Sequence, residues 1–164
     1  MLMQIPTPTA SELMELVGTT RPPWIVFALK ESIPSIEDHL ASRRGFTRIE
    51  LDGAAMRNLD TYWHELMNKF AFPNYFGKNL HALYDCLTDA DVLPSLGYLV
   101  VLRKYEQLLI EGKDGDGQAF LDTFMRAAEE RSVPIRDGAP WDREATPFHL
   151  LLELEAHKVG ADKF

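Results

Sequence analysis

The stretch from Phe72 to Pro94 carries the residues whose types and spacing could do recognition chemistry. Polar and aromatic side chains recur there at helical spacing, and two further aromatic residues come one turn ahead of them. A carboxylate, an amide and a hydroxyl beside aromatic rings are suited to hydrogen bonds and apolar contacts with another protein. The pattern predicts a partner-binding surface made of Tyr75, Phe76, Asn79, His81, Tyr84, Asp85 and Thr88.

A turn and a short helix must position these side chains. Proline, asparagine and glycine between residues 73 and 77 predict the turn, and Asn79 is suited to cap the helix that follows. Three leucines at helical spacing predict the buried face of that helix, namely Leu80, Leu83 and Leu87.

Structural roles would also explain each residue of the predicted surface. Asp85 would be an ordinary solvated helix residue, and His81 lies four positions before it, the spacing of an intrahelical pair. Tyr75 and Phe76 would pack the turn against the core, and Asn79 would do no more than cap the helix. These alternatives stay open at the level of sequence.

Strand-like apolar runs alternate with amphipathic helices along the rest of the chain. The predicted strands are Trp24–Leu29, Phe46–Leu51, Tyr98–Leu102 and Phe148–Leu154. The predicted helices are Ser35–Arg44, Leu59–Ala71, Asn79–Asp89 and Gly117–Glu130. Because parallel strands need crossover connections that helices usually supply, this order predicts an α/β fold with a mainly parallel sheet.

Length and composition predict a small intracellular protein. The 164 residues favour one domain over 1–164, and the single cysteine, Cys86, excludes an internal disulfide framework and fits a reducing, cytoplasmic compartment. The most apolar stretch, Tyr98–Leu102, is too short to span a bilayer, so no membrane association is expected. A net charge of −8 disfavours direct binding to nucleic acid and favours a basic protein as partner.

At residues 73–88 the chain resembles the barstar family of intracellular ribonuclease inhibitors, whose motif is close to P-x-Y-[YF]-G-x-N-L-x-A-L-W-D-C-L-T. The matching residues are Pro73, Tyr75, Phe76, Gly77, Asn79, Leu80, Ala82, Leu83, Asp85, Cys86, Leu87 and Thr88. Tyr84 replaces the usual tryptophan. The likeness covers roughly Phe46 to Arg131, with a closing strand near Phe148–Leu154.

The resemblance implies a fold of three parallel strands plus helices, and a barnase-like or related basic ribonuclease as partner. Asp85 would be the carboxylate that occupies the basic active-site cleft of that enzyme as a phosphate mimic. Tyr75, Phe76 and Tyr84 would anchor the contact, and Asn79 and Thr88 would donate or accept hydrogen bonds. No cofactor is implied.

Three positions depart from the family pattern. His81, Lys78 and, in a less secure alignment, Arg126 stand where the type protein has acidic residues. Their neutral or basic character weakens the complement to a basic cleft. A ribonuclease whose charges around the active-site cleft differ from those of the familiar enzyme would fit these changes. A non-inhibitory adaptor, or an immunity protein for a different toxin, is the alternative.

Two segments have no counterpart in short members of the family. Residues 1–45 begin with a Thr/Pro-rich arm followed by a β-α unit, which we expect to extend the sheet of a barstar-like core over 46–154. Residues 133–147 are rich in proline around Trp141 and predict a long irregular loop. The sequence predicts no oligomeric state.

Catalytic chemistry finds little support in the residues. A hydrolase would have to be built around His81 and Asp85, and Cys86 lies toward the buried side of its helix, away from a role as nucleophile. The loop Gly112–Gly117 resembles a calcium loop only in part, because Met125 stands where the required glutamate would be. We therefore predict neither an enzyme nor a metal site.

Overall fold

The computed structural model describes residues 7–155, which form five α-helices and four β-strands. The helices are α1 (Ala10–Val17), α2 (Ile33–Ala41), α3 (Leu59–Phe70), α4 (Leu80–Thr88) and α5 (Asp116–Arg131). The strands are β1 (Ile25–Leu29), β2 (Phe46–Asp52), β3 (Gly97–Arg103) and β4 (Phe148–Leu154). Within the described range, no helix is long and apolar enough to cross a membrane.

The four strands form one parallel sheet in the order β1-β4-β3-β2. Val100 in β3 lies opposite Ile49 of β2 on one side and Leu150 of β4 on the other. The central strands β3 and β4 are buried along almost their whole length, as expected for a parallel sheet covered on both faces. The predicted α/β fold is confirmed, and β1 extends the sheet at its edge beside β4.

Alternate residues of the strands serve two separate hydrophobic cores, one on each face of the sheet. The larger core holds α3, α4 and α5 against Val100, Leu102, Leu150 and Leu152. The smaller core holds α1 and α2 against Leu99, Val101 and Leu151. Helix α4 and the predicted binding residues therefore lie on the face opposite the N-terminal helices.

Helix α1 is absent from the sequence-based prediction, which places a Thr/Pro-rich arm in this part of residues 1–45. Thr9 and Glu12 form a capping box, in which the Thr9 hydroxyl accepts the Glu12 N–H at 3.2 Å and Glu12 accepts the Thr9 N–H at 2.7 Å. Burial of Leu13 and Val17 then fixes the helix against the sheet. Residues 1–6 of the predicted arm lie outside the described residues.

A buried histidine joins β4 to the segment before β1. His149 is fully buried, and its Nε2 lies 3.1 Å from the carbonyl oxygen of Arg21. Because a carbonyl oxygen only accepts hydrogen bonds, Nε2 carries the proton of the neutral ring. Burial lowers the pKa of His149 below its ordinary value of 6.5, and the hydrogen bond to Arg21 acts in the opposite direction.

We expect the free energy of unfolding to fall as the pH drops below about 6.5, because the unfolded chain then binds a proton at His149 that the folded chain does not. The contribution of His149 to stability is complete at pH values above its pKa in the unfolded chain. It is lost as the pH falls toward its lower pKa in the folded chain, with a slope of at most about 1.4 kcal/mol per pH unit. Urea denaturation across this pH range measures the slope. We expect His149→Gln to flatten this slope. The control His39→Gln, at an exposed position of α2, should leave the slope unchanged. Equal slopes in all three chains would contradict this role.

Candidate functional site

Helix α4 starts from a turn that is fixed by hydrogen bonds at both ends. The Phe76 N–H donates to the Pro73 carbonyl at 2.9 Å, and the Asn79 side-chain nitrogen donates to the Gly77 carbonyl at 3.1 Å. The Asn79 side-chain oxygen accepts the Ala82 N–H at 2.8 Å, which confirms the predicted cap. The start of the helix therefore has a defined position relative to the turn.

Replacing Asn79 with alanine should lower the free energy of unfolding by about 1 kcal/mol, because the first turn of α4 loses its cap. Asn79→Ser should retain most of this stability, since a serine hydroxyl also caps helices. Urea denaturation of the two variants beside the wild-type chain measures the difference. If Asn79→Ala were as stable as Asn79→Ser, the side chain would not be acting as a cap.

The two adjacent aromatic residues of the turn point in opposite directions. Tyr75 is 81% exposed, whereas Phe76 is only 6% exposed and packs against the rings of Trp63 and Phe72, with centroids 5.7 and 4.9 Å away. Phe76 therefore supports the turn from inside the core, and we leave it out of the surface available to a partner. Tyr75 remains free for contact.

The buried face of α4 begins later along the helix than the sequence predicts. Leu83 and Leu87 are fully buried, and Cys86 joins them at 7% exposure. Leu80 is 37% exposed, so the prediction that it is buried is wrong. Leu80 is the first residue of the helix and lies ahead of its buried residues.

His81 and Asp85 lie on the open face of α4. Their side chains are 89% and 62% exposed, and the His81 Nε2 is 3.7 Å from a carboxylate oxygen of Asp85. Pairs exposed to solvent to this extent are weak, so the contact does not occupy the carboxylate. The Asp85 carboxylate is therefore held in place by the helix while remaining available to a partner.

Tyr84 and Thr88 border Asp85 and contact neighbouring groups. The guanidinium carbon of Arg126, from α5, lies 4.9 Å from the centroid of the Tyr84 ring, a cation–π arrangement. The Thr88 hydroxyl donates to the carbonyls of Tyr84 at 2.9 Å and of Asp85 at 3.2 Å. The hydroxyl proton is thus used within the helix, and the oxygen is left as an acceptor. We call Tyr75, Asn79, His81, Tyr84, Asp85 and Thr88 the α4 surface.

Arg131 holds the far end of α4 from inside the protein. Its side chain is 1% exposed and donates hydrogen bonds to the carbonyls of Leu87, Asp89 and Leu93, with distances between 2.5 and 3.1 Å. Burial lowers the pKa of Arg131 to about 10, so the guanidinium is charged at neutral pH. Residue type predicts an exposed arginine, and no local pattern reveals this one.

The thiol of Cys86 is enclosed behind the α4 surface. Burial raises the pKa of Cys86, and the nearby carboxylates of Asp85 and Asp89 raise it further. A thiol that stays protonated and buried is a poor nucleophile. Cys86 therefore packs as a small apolar residue.

The segment 133–147 lies beside the C-terminal end of α4, a proximity that its sequence does not reveal. Together they enclose an open groove of about 360 Å³, lined among others by Asp85, Thr88, Asp89 and Trp141. Trp141 is 64% exposed. The sequence marks Trp141 as part of a loop, but only the fold brings it next to Asp85.

Comparisons with known proteins agree with this architecture. The family model described as Barstar (barnase inhibitor) matches residues 46–153. A protein of Bacillus subtilis (strain 168) named "Putative ribonuclease inhibitor YrdF" is 39% identical over 59 residues, which are 36% of this chain and 62% of that protein. The match thus spans less than two thirds of the relative.

A solved structure shares the fold at low sequence identity. The Aeropyrum pernix ORC2 protein, in its ADPNP–ADP complexes, matches 92% of this chain and 41% of its own with a TM-score of 0.56 and 15% identity. Identity this low shows a likeness of fold alone. The family match covers more than half of the sequence and includes β2, β3, α4 and all but the last residue of β4. This chain therefore belongs to the barstar family.

Proposed function

We propose that this chain binds and inhibits a ribonuclease by placing the α4 surface in the basic active-site cleft of the enzyme. The observation that carries the proposal is the position of Asp85, whose carboxylate is 62% exposed on a helix face with fixed ends. Membership of a family described as barnase inhibitors supports the same function.

The chemistry of the enzyme explains why a carboxylate would block it. A ribonuclease must bind the phosphate of RNA, and arginine, lysine and protonated histidine side chains are the groups that do so. A carboxylate offers the same groups two oxygen acceptors and a negative charge. Asp85 would therefore compete with the phosphate for the cleft.

The rigidity of the α4 surface favours tight binding. Asn79 fixes the first turn of α4 and Arg131 binds carbonyls at its last turn, so little conformational freedom is left to lose on association. Tyr75 is 81% exposed, and tyrosine is among the residues enriched at interface hot spots. We infer that Tyr75 and Tyr84 flank the carboxylate and exclude water from it.

The charge of the chain suits a basic partner. A net charge of −8 would attract a basic ribonuclease and speed encounter at low ionic strength. The free, buried Cys86 is compatible with a reducing compartment, and we propose that the chain acts in the cytoplasm.

A second candidate function is immunity to a different toxin, without inhibition of a barnase-type enzyme. The arrangement of Arg126 favours it, because this cation lies over the Tyr84 ring within the predicted contact area. Lys78 and His81 add further groups that repel a basic rim when protonated. A partner with acidic groups at the matching positions would bind better.

Titration of the purified chain into a barnase-type ribonuclease that cleaves a fluorogenic RNA tests the first function. We expect activity to fall linearly and to vanish at one-to-one stoichiometry. Full activity at a large molar excess of the chain would reject this class of enzyme as the target. It would then favour a partner adapted to Arg126, Lys78 and His81.

A further inference from the structure

The groove between α4 and the 133–147 loop has a distinct chemical character. Four carboxylates line it, and the exposed indole of Trp141 stands beside them. The carboxylates are Asp85, Asp89, Asp91 and Asp142. Asp85 and Thr88 belong both to this groove and to the α4 surface, so the two are continuous.

Hydrogen bonds fix the shape of the 133–147 loop. The backbones of Ile135 and Arg143 exchange two hydrogen bonds of 2.8 and 3.1 Å, which close the loop at its base. The Asp142 carboxylate accepts three backbone N–H groups, those of residues 137, 138 and 139, at 2.9 to 3.3 Å. These bonds lower the pKa of Asp142 and keep it ionised at neutral pH.

Trp141 is held at the tip of this ordered loop. Its indole N–H donates to a carboxylate oxygen of Asp137 at 3.3 Å, yet the side chain remains 64% exposed. The two other tryptophans, Trp24 and Trp63, are 8% and 9% exposed. A large aromatic ring held open to solvent is the type of residue that anchors protein interfaces.

Arg143 also lines the groove, and its hydrogen bonds direct its side chain away from solvent. The side chain of Arg143 is 5% exposed and donates to the carbonyls of residues 130, 131 and 133 at the end of α5. These hydrogen bonds satisfy its two terminal nitrogens and place its charge at the negative end of a helix. Four aspartates and one arginine therefore line the groove, and two of these carboxylates also accept backbone N–H groups: Asp142 binds its own loop, and Asp89 accepts the Asp91 N–H at 2.7 Å.

We infer that this groove is the second half of the partner-binding surface and that it receives an arginine-bearing segment of the basic ribonuclease. The inference rests on the proposed function and extends it to the 133–147 loop. A guanidinium stacks well on an indole ring and pairs with carboxylates through its fork of N–H groups. Trp141 would supply the ring, and Asp89 and Asp91 the charges.

Inhibition titrations with matched variants test this inference. Trp141→Ala should raise the inhibition constant roughly tenfold, and Trp141→Phe should recover part of the loss. The double change Asp89→Asn and Asp91→Asn should slow association and reduce its dependence on salt. The matched control is Glu15→Asn with Asp38→Asn, which removes two charges from the opposite face of the sheet. This control should change the association rate and its salt dependence less.

A second measurement follows Trp141 directly. The chain labelled with 5-fluorotryptophan gives three ¹⁹F resonances, and Trp141→Phe identifies one of them. Addition of unlabelled ribonuclease should shift the Trp141 resonance and leave those of Trp24 and Trp63 nearly unchanged, because these two are buried.

The outcomes separate this inference from the proposed function. Suppose that inhibition is one-to-one, the Trp141 resonance does not shift and Trp141→Ala inhibits as well as the wild-type chain. The groove then does not contact the ribonuclease, while the proposed inhibition stands. A shifted resonance without loss of nuclease activity would support the groove and reject inhibition. If the chain neither inhibits the ribonuclease nor shows a shifted Trp141 resonance, both the groove inference and the proposed function are wrong.

Discussion

Replacing Asp85 with alanine is expected to raise the inhibition constant for a barnase-type ribonuclease by about 30- to 5,000-fold. The corresponding free energy is about 2 to 5 kcal/mol, a general range for truncated charge pairs that already includes measurements on the barnase–barstar pair. The loss is large because the phosphate-binding cations of the enzyme would be buried in the complex without a counter-charge. The inhibition constant is measured with the fluorogenic RNA assay.

Two variants separate the charge of Asp85 from its other effects. Asp85→Asn keeps the size of the side chain and should lose most of the inhibition as well. Asp38→Ala removes the same charge from α2, on the opposite face of the sheet, and should inhibit nearly as well as the wild-type chain. Equal losses in the Asp85 and Asp38 variants would mean that net charge, and not the α4 surface, controls binding.

Arg131→Met is expected to lower the free energy of unfolding by about 3 to 5 kcal/mol. The guanidinium binds three carbonyl oxygens, and its loss leaves those of Leu87 and Leu93 without this donor, at roughly 1 to 3 kcal/mol each before relaxation. The Asp89 carbonyl keeps the Leu93 N–H, which donates to it at 2.9 Å. The cation also lies 5.5 and 5.6 Å from the ring centroids of Tyr98 and Phe148, and these contacts disappear with it.

Urea denaturation of Arg131→Met beside Arg44→Met measures this effect. Arg44 is an exposed arginine in the turn before β2, so its replacement should change stability by less than about 0.5 kcal/mol. If the two variants were equally stable, the carbonyls at the end of α4 would have other donors and Arg131 would not fix the helix.

The sheet is the part of the fold that the sequence predicts best. Strand β4 is found at the predicted bounds Phe148–Leu154, because a mainly apolar run, interrupted here only by His149 and Glu153, is typical of a parallel strand buried on both faces. Helix α1 is missed because it is short and follows a Thr/Pro-rich segment. The Thr9 and Glu12 spacing of its capping box is the signal that would have revealed it.

The candidate site is only partly predictable, because its contacts are not local. Sequence spacing places His81 and Asp85 on one helix face, and the structure brings them within 3.7 Å of each other. Spacing does not decide which of the adjacent Tyr75 and Phe76 enters the core. The approach of Trp141 to α4 depends on how the segments after α5 return to the sheet.

Amide hydrogen exchange, with and without a catalytically inactivated barnase-type ribonuclease, tests most directly where the partner binds. We predict slower exchange in peptides covering 72–91 and 133–147, and unchanged exchange in α1 and α2. Protection confined to α1 and α2, with none over 72–91, would contradict the central claim that the α4 surface enters the cleft.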